Sequence, residues 1–300
     1  MARGTVAANR VLVGGWFSLE DGGATAGDLA ALDVAREWLD AAGCAYDVAC
    51  APVFGEGVDW RSARPADYGM LVLVCGPLSP RLATWQLVTR FAACRLVALD
   101  VSIVDNSNTY EQFSAVLARD GVGRPQPDLA FAASLDQVPV VGVVRVHPQS
   151  EYGELGRHVE VDRLIAEHLS SRPVVALPID TQLDSNGGGL RNAAEVSSLI
   201  AKTDAVMTTR LHGLVFALRA GVPAAAVDAV AGGAKVAAQA RAVGWPHVLT
   251  ANQVTDAALG RLLDDCLDPA ARALALECAS RARDQLAGAV RRPFLAALGL

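Results

Sequence analysis

The segment Asp204-Ala205-Val206-Met207-Thr208-Thr209-Arg210-Leu211-His212-Gly213 puts a guanidinium and an imidazole where an apolar run gives way to a helical pattern. The run 205–208 reads as a strand. A helix opens shortly after it, capped by Thr208 or Thr209. Arg210 and His212 then fall in the first turn of that helix, at the mouth of a sheet. A helix N-terminus, a guanidinium and an imidazole converging on one spot suit a phosphate or carboxylate beside a group able to move a proton near neutrality. Further cations follow other strands. Arg145, with His147 and Pro148 behind it, ends the apolar run 138–145. An arginine there either meets an anion or pairs with a nearby carboxylate such as Asp180. Lys235 opens a helix after Asp228 and Gly232-Gly233. Lys202 and Lys235 are the only lysines among 26 basic residues. A compact ammonium at that place suits a phosphate oxygen, whereas Lys202 reads as a solvated residue on a polar helix face.

Carboxylates stand in two loops. Asp180 and Asp184 follow the strand 174–178; they orient basic groups, take an acceptor hydroxyl, or are simply solvated. Asp28 ends a glycine-rich loop that runs from Gly14-Gly15-Trp16 to Gly27. It caps the helix that starts there, in a loop that either contacts substrate or only connects. The loop lacks G-x-G-x-x-G dinucleotide spacing and the P-loop Gly-Lys-Ser/Thr. H-E-x-x-H, G-x-S-x-G and C-x-x-C are absent as well, so metalloprotease, serine-hydrolase and paired-cysteine zinc readings fall away. His158 and His168 share a helical segment without metal-ligand spacing, and His247 reads as a turn residue. No metal site is expected.

The elements that must position these residues alternate along the chain. Strands are expected at 10–14, 45–49, 70–75, 96–100, 138–145, 174–178, 205–208, 224–227 and 248–249. Helices are expected at 28–42, 80–94 (with Pro80 in its first turn), 159–169, 190–201, 211–220, 233–243 and roughly 271–298. Such alternation means parallel sheets. Two sets imply an α/β fold of two doubly wound, Rossmann-like domains facing a cleft, residues 1–136 and 137–300. The segment 104–136 gives no clear period.

Composition narrows the classes. The chain has 300 residues, 52% of them hydrophobic and 19% charged, with a net charge of −6. Mean hydropathy is +0.29 and the isoelectric point about 5.4. Such a chain is not disordered. Its acidity argues against nucleic acid as a partner and against a polybasic membrane clamp. No apolar stretch is long enough for a transmembrane helix, so no integral membrane association is expected, and Val11–Val13 is too short for a signal-peptide core. The six cysteines read as reduced. The expectation is a cytoplasmic protein.

Taken together, Asp204-Ala205-Val206, Arg210-Leu211-His212-Gly213-Leu214, Ala220-Gly221-Val222-Pro223, Asp228 and Lys235-Val236 resemble the signature of the polysaccharide pyruvyl transferase family. Weaker similarities are Gly27-Asp28, Asp128-Leu129-Ala130-Phe131 and Val141–Arg145. The resemblance implies a fold like that of the GT-B glycosyltransferases. It also implies transfer of the pyruvyl group of phosphoenolpyruvate to two hydroxyls of a sugar-containing acceptor, giving a ketal and phosphate. It makes His212 the catalytic residue, with Arg145, Arg210 and Lys235, and beside them Thr209, binding the donor. Asp28, Asp180 and Asp184 then serve the acceptor or orient neighbours. No cofactor is needed beyond phosphoenolpyruvate as donor substrate. Two departures stand out: a glycine-rich stretch after a middle strand is reduced to Cys75-Gly76-Pro77, and 229–234 lacks the aromatic often found before the lysine. The donor half is therefore expected to be retained and the acceptor half altered. Two other readings remain, a GT-B glycosyltransferase using a nucleotide sugar and a non-catalytic glycan- or partner-binding member.

Overall fold

The computed structural model describes residues 10–104, 108–121, 123–146 and 150–300; His147 and Pro148 lie outside them. The chain divides into two compact units, 1–136 and 137–300. Each is an α/β unit on a parallel sheet.

In unit 1 the strands are β1 (Val11–Gly15), β2 (Tyr46–Val48), β3 (Met70–Val74), β4 (Pro77–Leu78), β5 (Arg95–Ile103) and β6 (Ala115–Asp120). They order as β2-β1-β3-β5, and both β4 and β6 pair with β5. Alternation divides the core between the two faces of the sheet. Val11, Val13, Val72 and Val74 pack with Leu32 and Val34 of α1 (Ala26–Ala41). Leu12, Leu71, Leu73 and Leu96 pack on the other face with Leu87 and Val88 of α2 (Trp85–Arg90).

Two helix starts differ from the sequence expectation. Thr25 is the N-cap of α1, and Asp28 is its partner three residues on, its carboxylate accepting the Thr25 amide and hydroxyl at 2.8 Å each. The acidic side chain thus closes a capping box rather than being the cap. α2 starts at Trp85, not Pro80. The Ser79 carbonyl takes the Leu82 amide at 3.2 Å and its hydroxyl the Arg81 amide at 3.3 Å, a turn that uses up the first residues of the apolar pattern. The segment without clear period holds β6, whose Val116 and Ala118 pack against the core.

Unit 2 has strands β7 (Val140–Val144), β8 (Val175–Pro178), β9 (Ala205–Thr208), β10 (Ala224–Asp228) and β11 (Val248–Thr250), in the order β11-β10-β9-β7-β8. α3 (His158–Ser170), α4 (Ala193–Ile200), α5 (Leu211–Arg219), α6 (Lys235–Val243) and α7 (Asp256–Leu267) connect and cover them. Gly244 ends α6 at φ +71°, the left-handed position that stops a helix. α8 (Pro269–Leu286) runs on through a wide turn, 287–291, into α9 (Arg292–Ala297), with helical backbone angles at both junctions. The buried face of α8 is Ala271, Ala275, Cys278 and Ala279, small residues that let it lie close on the unit.

Candidate functional site

In an open parallel sheet, ligands bind beyond the carboxyl ends of the strands, where neighbouring strands send their connections to opposite sides. In unit 2 that point lies between β7 and β9. β7 leads through α3 to β8 on one side, and the chain then returns to β9 and goes on to β10 on the other.

The two strand ends are tied by threonines. The Thr209 amide donates to the Val144 carbonyl at 3.1 Å, and Thr209 Oγ1 accepts the Val146 amide at 2.9 Å. Thr208 Oγ1 lies 3.0 Å from the Val144 carbonyl and accepts the Arg210 amide at 3.0 Å. Both threonines are buried. Neither caps α5, contrary to the sequence reading. Arg210 is itself the N-cap residue, and no side chain among the described residues takes the cap hydrogen bond. The Thr209 hydroxyl is spent on the neighbouring strand end, and the Thr208 hydroxyl is shared between that strand and the backbone of Arg210.

Gly213 explains how the helix start sits so close. A Cβ there would lie 2.2 Å from Thr208 Oγ1 and 2.9 Å from Val144 Cγ1. α5 therefore opens directly on the switch point, with first-turn amides and the positive end of its dipole uncovered by a cap.

Arg210 is half-buried and donates to Asp180 Oδ1 at 3.2 Å. The same oxygen accepts the Gln182 amide at 2.8 Å, so Asp180 is fixed by its own loop. The carboxylate thus orients Arg210, not Arg145. Arg145 is exposed at the end of β7, with no ion pair among the described residues. His212 is exposed in the first turn of α5, its ring 6.5 Å from that of Phe216 one turn on. Asp184 is exposed in the loop after β8.

Lys235 opens α6 beyond β10, the strand next to β9. Its loop is set by Asp228, which accepts the amides of Val230, Ala234 and Ala237 at 3.2, 2.7 and 2.8 Å. Lys235 Nζ lies 5.7 Å from the ring centroid of Tyr152. The segment of Tyr152 is held at β10 by the Arg157 amide on the Ala229 carbonyl and the Ala231 amide on the Leu155 carbonyl, each at 2.8 Å. An aromatic ring thus stands beside Lys235 from elsewhere in the chain, which spacing could not reveal. In all, Arg145, Thr209, Arg210 and His212 sit on two neighbouring strand ends and Lys235 on the next.

Asp28 belongs to a different place. In unit 1 the switch point lies between β1 and β3, and it carries a hollow of about 360 Å³ lined by Trp16, Thr25, Asp28, Cys75, Arg119 and Asp128 among others. Cys75 (φ +62°) and Asp100 (φ +57°) are the non-glycine residues with positive φ among those described. Cys75 follows directly on β3, and Asp100 lies inside the neighbouring strand β5, where the β5–β6 register shifts. Such local strain gathers at sites more than at plain connections. Arg119 pairs with Asp128, lies 3.6 Å from Asp100, and donates to Ser102 Oγ at 3.0 Å. Burial raises the Asp100 carboxyl above its ordinary range, and burial together with Asp28 pushes the Cys75 thiol up to about 11. Cys75 is therefore a neutral wall at physiological pH. Gly76 keeps Trp16 in place, since a Cβ there would lie 2.2 Å from the indole Nε1. Arg119 escaped sequence reasoning, and Asp128 entered it only within a weak family similarity, because 104–136 shows no clear period.

Residues 111–229 match the model of the polysaccharide pyruvyl transferase family. The match takes in Arg145, Asp180, Thr209, Arg210 and His212 and stops short of Lys235. No curated protein gives a sequence match. Among solved structures, an O-GlcNAc transferase mutant from Thermobaculum terrenum is 15% identical over 99% of this chain and 68% of its own, with a TM-score of 0.38. A UDP-GlcNAc 2-epimerase from Methanocaldococcus jannaschii is 10% identical over 87% and 93%, TM-score 0.33. The glycosyltransferase SnogD from Streptomyces nogalater is 13% identical over 90% and 95%, TM-score 0.31. At these scores none of them bears on function, and the fold rests on the two parallel sheets.

Proposed function

We propose that the protein is a transferase that moves the pyruvyl group of phosphoenolpyruvate onto two hydroxyls of a sugar-containing acceptor. The observation that carries this reading is the uncapped start of α5 at the β7–β9 switch point, with Arg210 and His212 on it. The family match over 111–229 supports it.

Phosphoenolpyruvate presents a phosphate and a carboxylate. The first-turn amides of α5 suit one anion, and Arg210, held by Asp180, offers a planar pair of donors to an anion. Arg145 and Lys235 add charge from the strands on either side. His212 is the proton carrier. The methylene carbon takes a proton and becomes a methyl group, leaving a cation at the carbon that bears the phosphate. One acceptor hydroxyl adds there and gives up its proton. Phosphate leaves with its electron pair and takes up a proton, and the second hydroxyl closes the ketal. Two hydroxyl protons are lost, one ending on the methyl group and one on phosphate.

Unit 1 is the proposed acceptor unit. Its hollow offers an indole wall and the carboxylates of Asp28 and Asp128, groups that suit a polyhydroxylated ring. The chemistry involves no cofactor or metal in this reading. Titration calorimetry tests donor binding. Phosphoenolpyruvate should bind the wild-type protein, and at a hundredfold excess over Kd stabilise it by about 2.7 kcal/mol. Absence of binding at millimolar concentration would remove the donor from the account.

A further inference from the structure

The carboxyl end of the chain is a helix with half of its length unpartnered. α8, the wide turn and α9 form one continuous helical rod over 269–297. Its first half is seated on unit 2. From Arg283 onward every residue is exposed except the half-buried Leu295. Leu286, Val290, Phe294, Leu298 and Leu300 expose 55, 54, 59, 57 and 83% of their surface. The first four recur at intervals of four. In a regular α-helix that spacing drifts by about 40° per step. The wide turn 287–291 has more residues per turn and reverses the drift, so the four remain on one side of the rod.

That line continues a shallow apolar groove of about 170 Å³ on unit 2, where Leu214, Leu218, Val243, Ala279 and Ala282 meet Leu286. Arginines border the apolar surface: Arg219 and Arg283 line the groove, and Arg291 follows along the rod. Residues 269–300 hold five Arg and two Asp/Glu, a net of +3, against −6 for the chain and hence −9 for the rest. From 285 onward there is no acidic residue. Two copies meeting on this face would bring like charges together. An apolar stripe bordered by arginines complements a surface that is apolar inside and anionic at its rim. No helix of the described residues is long and apolar enough to cross a membrane.

We propose that the amphipathic helix over 283–297, with Leu298 at its end, lies on an anionic lipid surface, with Leu286, Val290, Phe294 and Leu298 dipping below the headgroups and the arginines among them. The whole chain is too acidic for a basic clamp, but charge and apolar surface are concentrated where the rod leaves the body. The inference stands on the helix alone and needs neither donor nor acceptor.

The test is co-sedimentation of the full chain with large vesicles, of phosphatidylcholine alone or with about a third phosphatidylglycerol. The expected result is binding to the anionic vesicles, several-fold weaker on pure phosphatidylcholine and weaker again in high salt. Phe294→Ser with Leu298→Ser should cut partitioning at least tenfold, since each loses a buried apolar side chain. Arg283→Gln with Arg291→Gln should cut it several-fold. Both pairs alter exposed positions, and unchanged melting confirms their fold. No binding to anionic vesicles, or binding indifferent to both variants, overturns the proposal. So does a dimer in sedimentation equilibrium that Phe294→Ser with Leu298→Ser dissociates, because the face would then belong to a second copy.

Discussion

Gly213→Ala isolates the contact that seats the start of α5 against the sheet. The new methyl group would lie 2.2 Å from Thr208 Oγ1, 2.9 Å from Val144 Cγ1 and 3.0 Å from Thr208 Cβ. Thr208 cannot swing aside cheaply, because its hydroxyl is engaged with the Val144 carbonyl and the Arg210 amide. Overpacking of this kind costs about 1–3 kcal/mol, and losing a Thr208 hydrogen bond adds roughly 1. The helical preference of alanine returns at most about 1 kcal/mol. The net is a loss of about 1–3 kcal/mol, and each kcal/mol lowers the melting point of a domain of this size by roughly 2–4 °C. Gly288→Ala is the control: nothing lies within 4 Å of its Cβ position. That variant should melt at or slightly above wild type. The assay is thermal melting with and without phosphoenolpyruvate. Because the clash pushes α5 off the switch point, Gly213→Ala should also lose most of the donor-induced shift. A Gly213→Ala protein with wild-type melting and a wild-type donor shift would refute the claim that this close approach builds the site.

Other changes probe the site one group at a time. Arg210→Lys should weaken phosphoenolpyruvate binding about tenfold or more in calorimetry, since lysine lacks the planar fork and reaches Asp180 differently; unchanged affinity would remove Arg210 from the donor site. His212→Asn should leave binding nearly intact while turnover falls by about 10²–10⁴, the usual share of a general acid or base, and near-normal turnover would dismiss His212 as the proton carrier. Burial holds the Asp100 carboxyl above its ordinary range. Its contribution to stability is therefore full below the unfolded pKa and is lost as pH rises through the folded value. Asp100→Asn stays neutral and tolerates φ +57°, so it should be more stable than wild type at pH 7. The gap should close as pH falls toward 4, and a variant less stable at pH 7 would show that attraction to Arg119 outweighs desolvation.

Most of the fold was legible because continuous apolar strands alternate with helical periods, as at Val140–Val144 before α3 and Ala205–Thr208 before α5. What was not legible had local causes. Thr208 and Thr209 have the composition of caps, but the neighbouring strand end, which only the fold supplies, takes the Thr209 hydroxyl and shares that of Thr208 with Arg210. Pro80 looked like a helix start until the Ser79 turn claimed that stretch. β6 was hidden because it is an edge strand with Leu117 pointing to solvent and Arg119 serving the hollow. The cations of unit 2 could be found from their places after strands. The pairing of Asp180 with Arg210 instead of Arg145, the ring of Tyr152 near Lys235, and the cluster of Cys75, Asp100 and Arg119 are contacts between distant segments that no spacing encodes.

The central claim is met most directly by release of inorganic phosphate from phosphoenolpyruvate, measured on wild-type protein with a panel of diol-bearing sugars, nucleotide sugars and lipid-linked sugars as acceptors. The account predicts phosphate release that depends on one acceptor class, with one phosphate freed per acceptor molecule gaining the mass of a pyruvyl ketal. Acceptor modification driven by a nucleotide sugar, with phosphoenolpyruvate left intact, would contradict it.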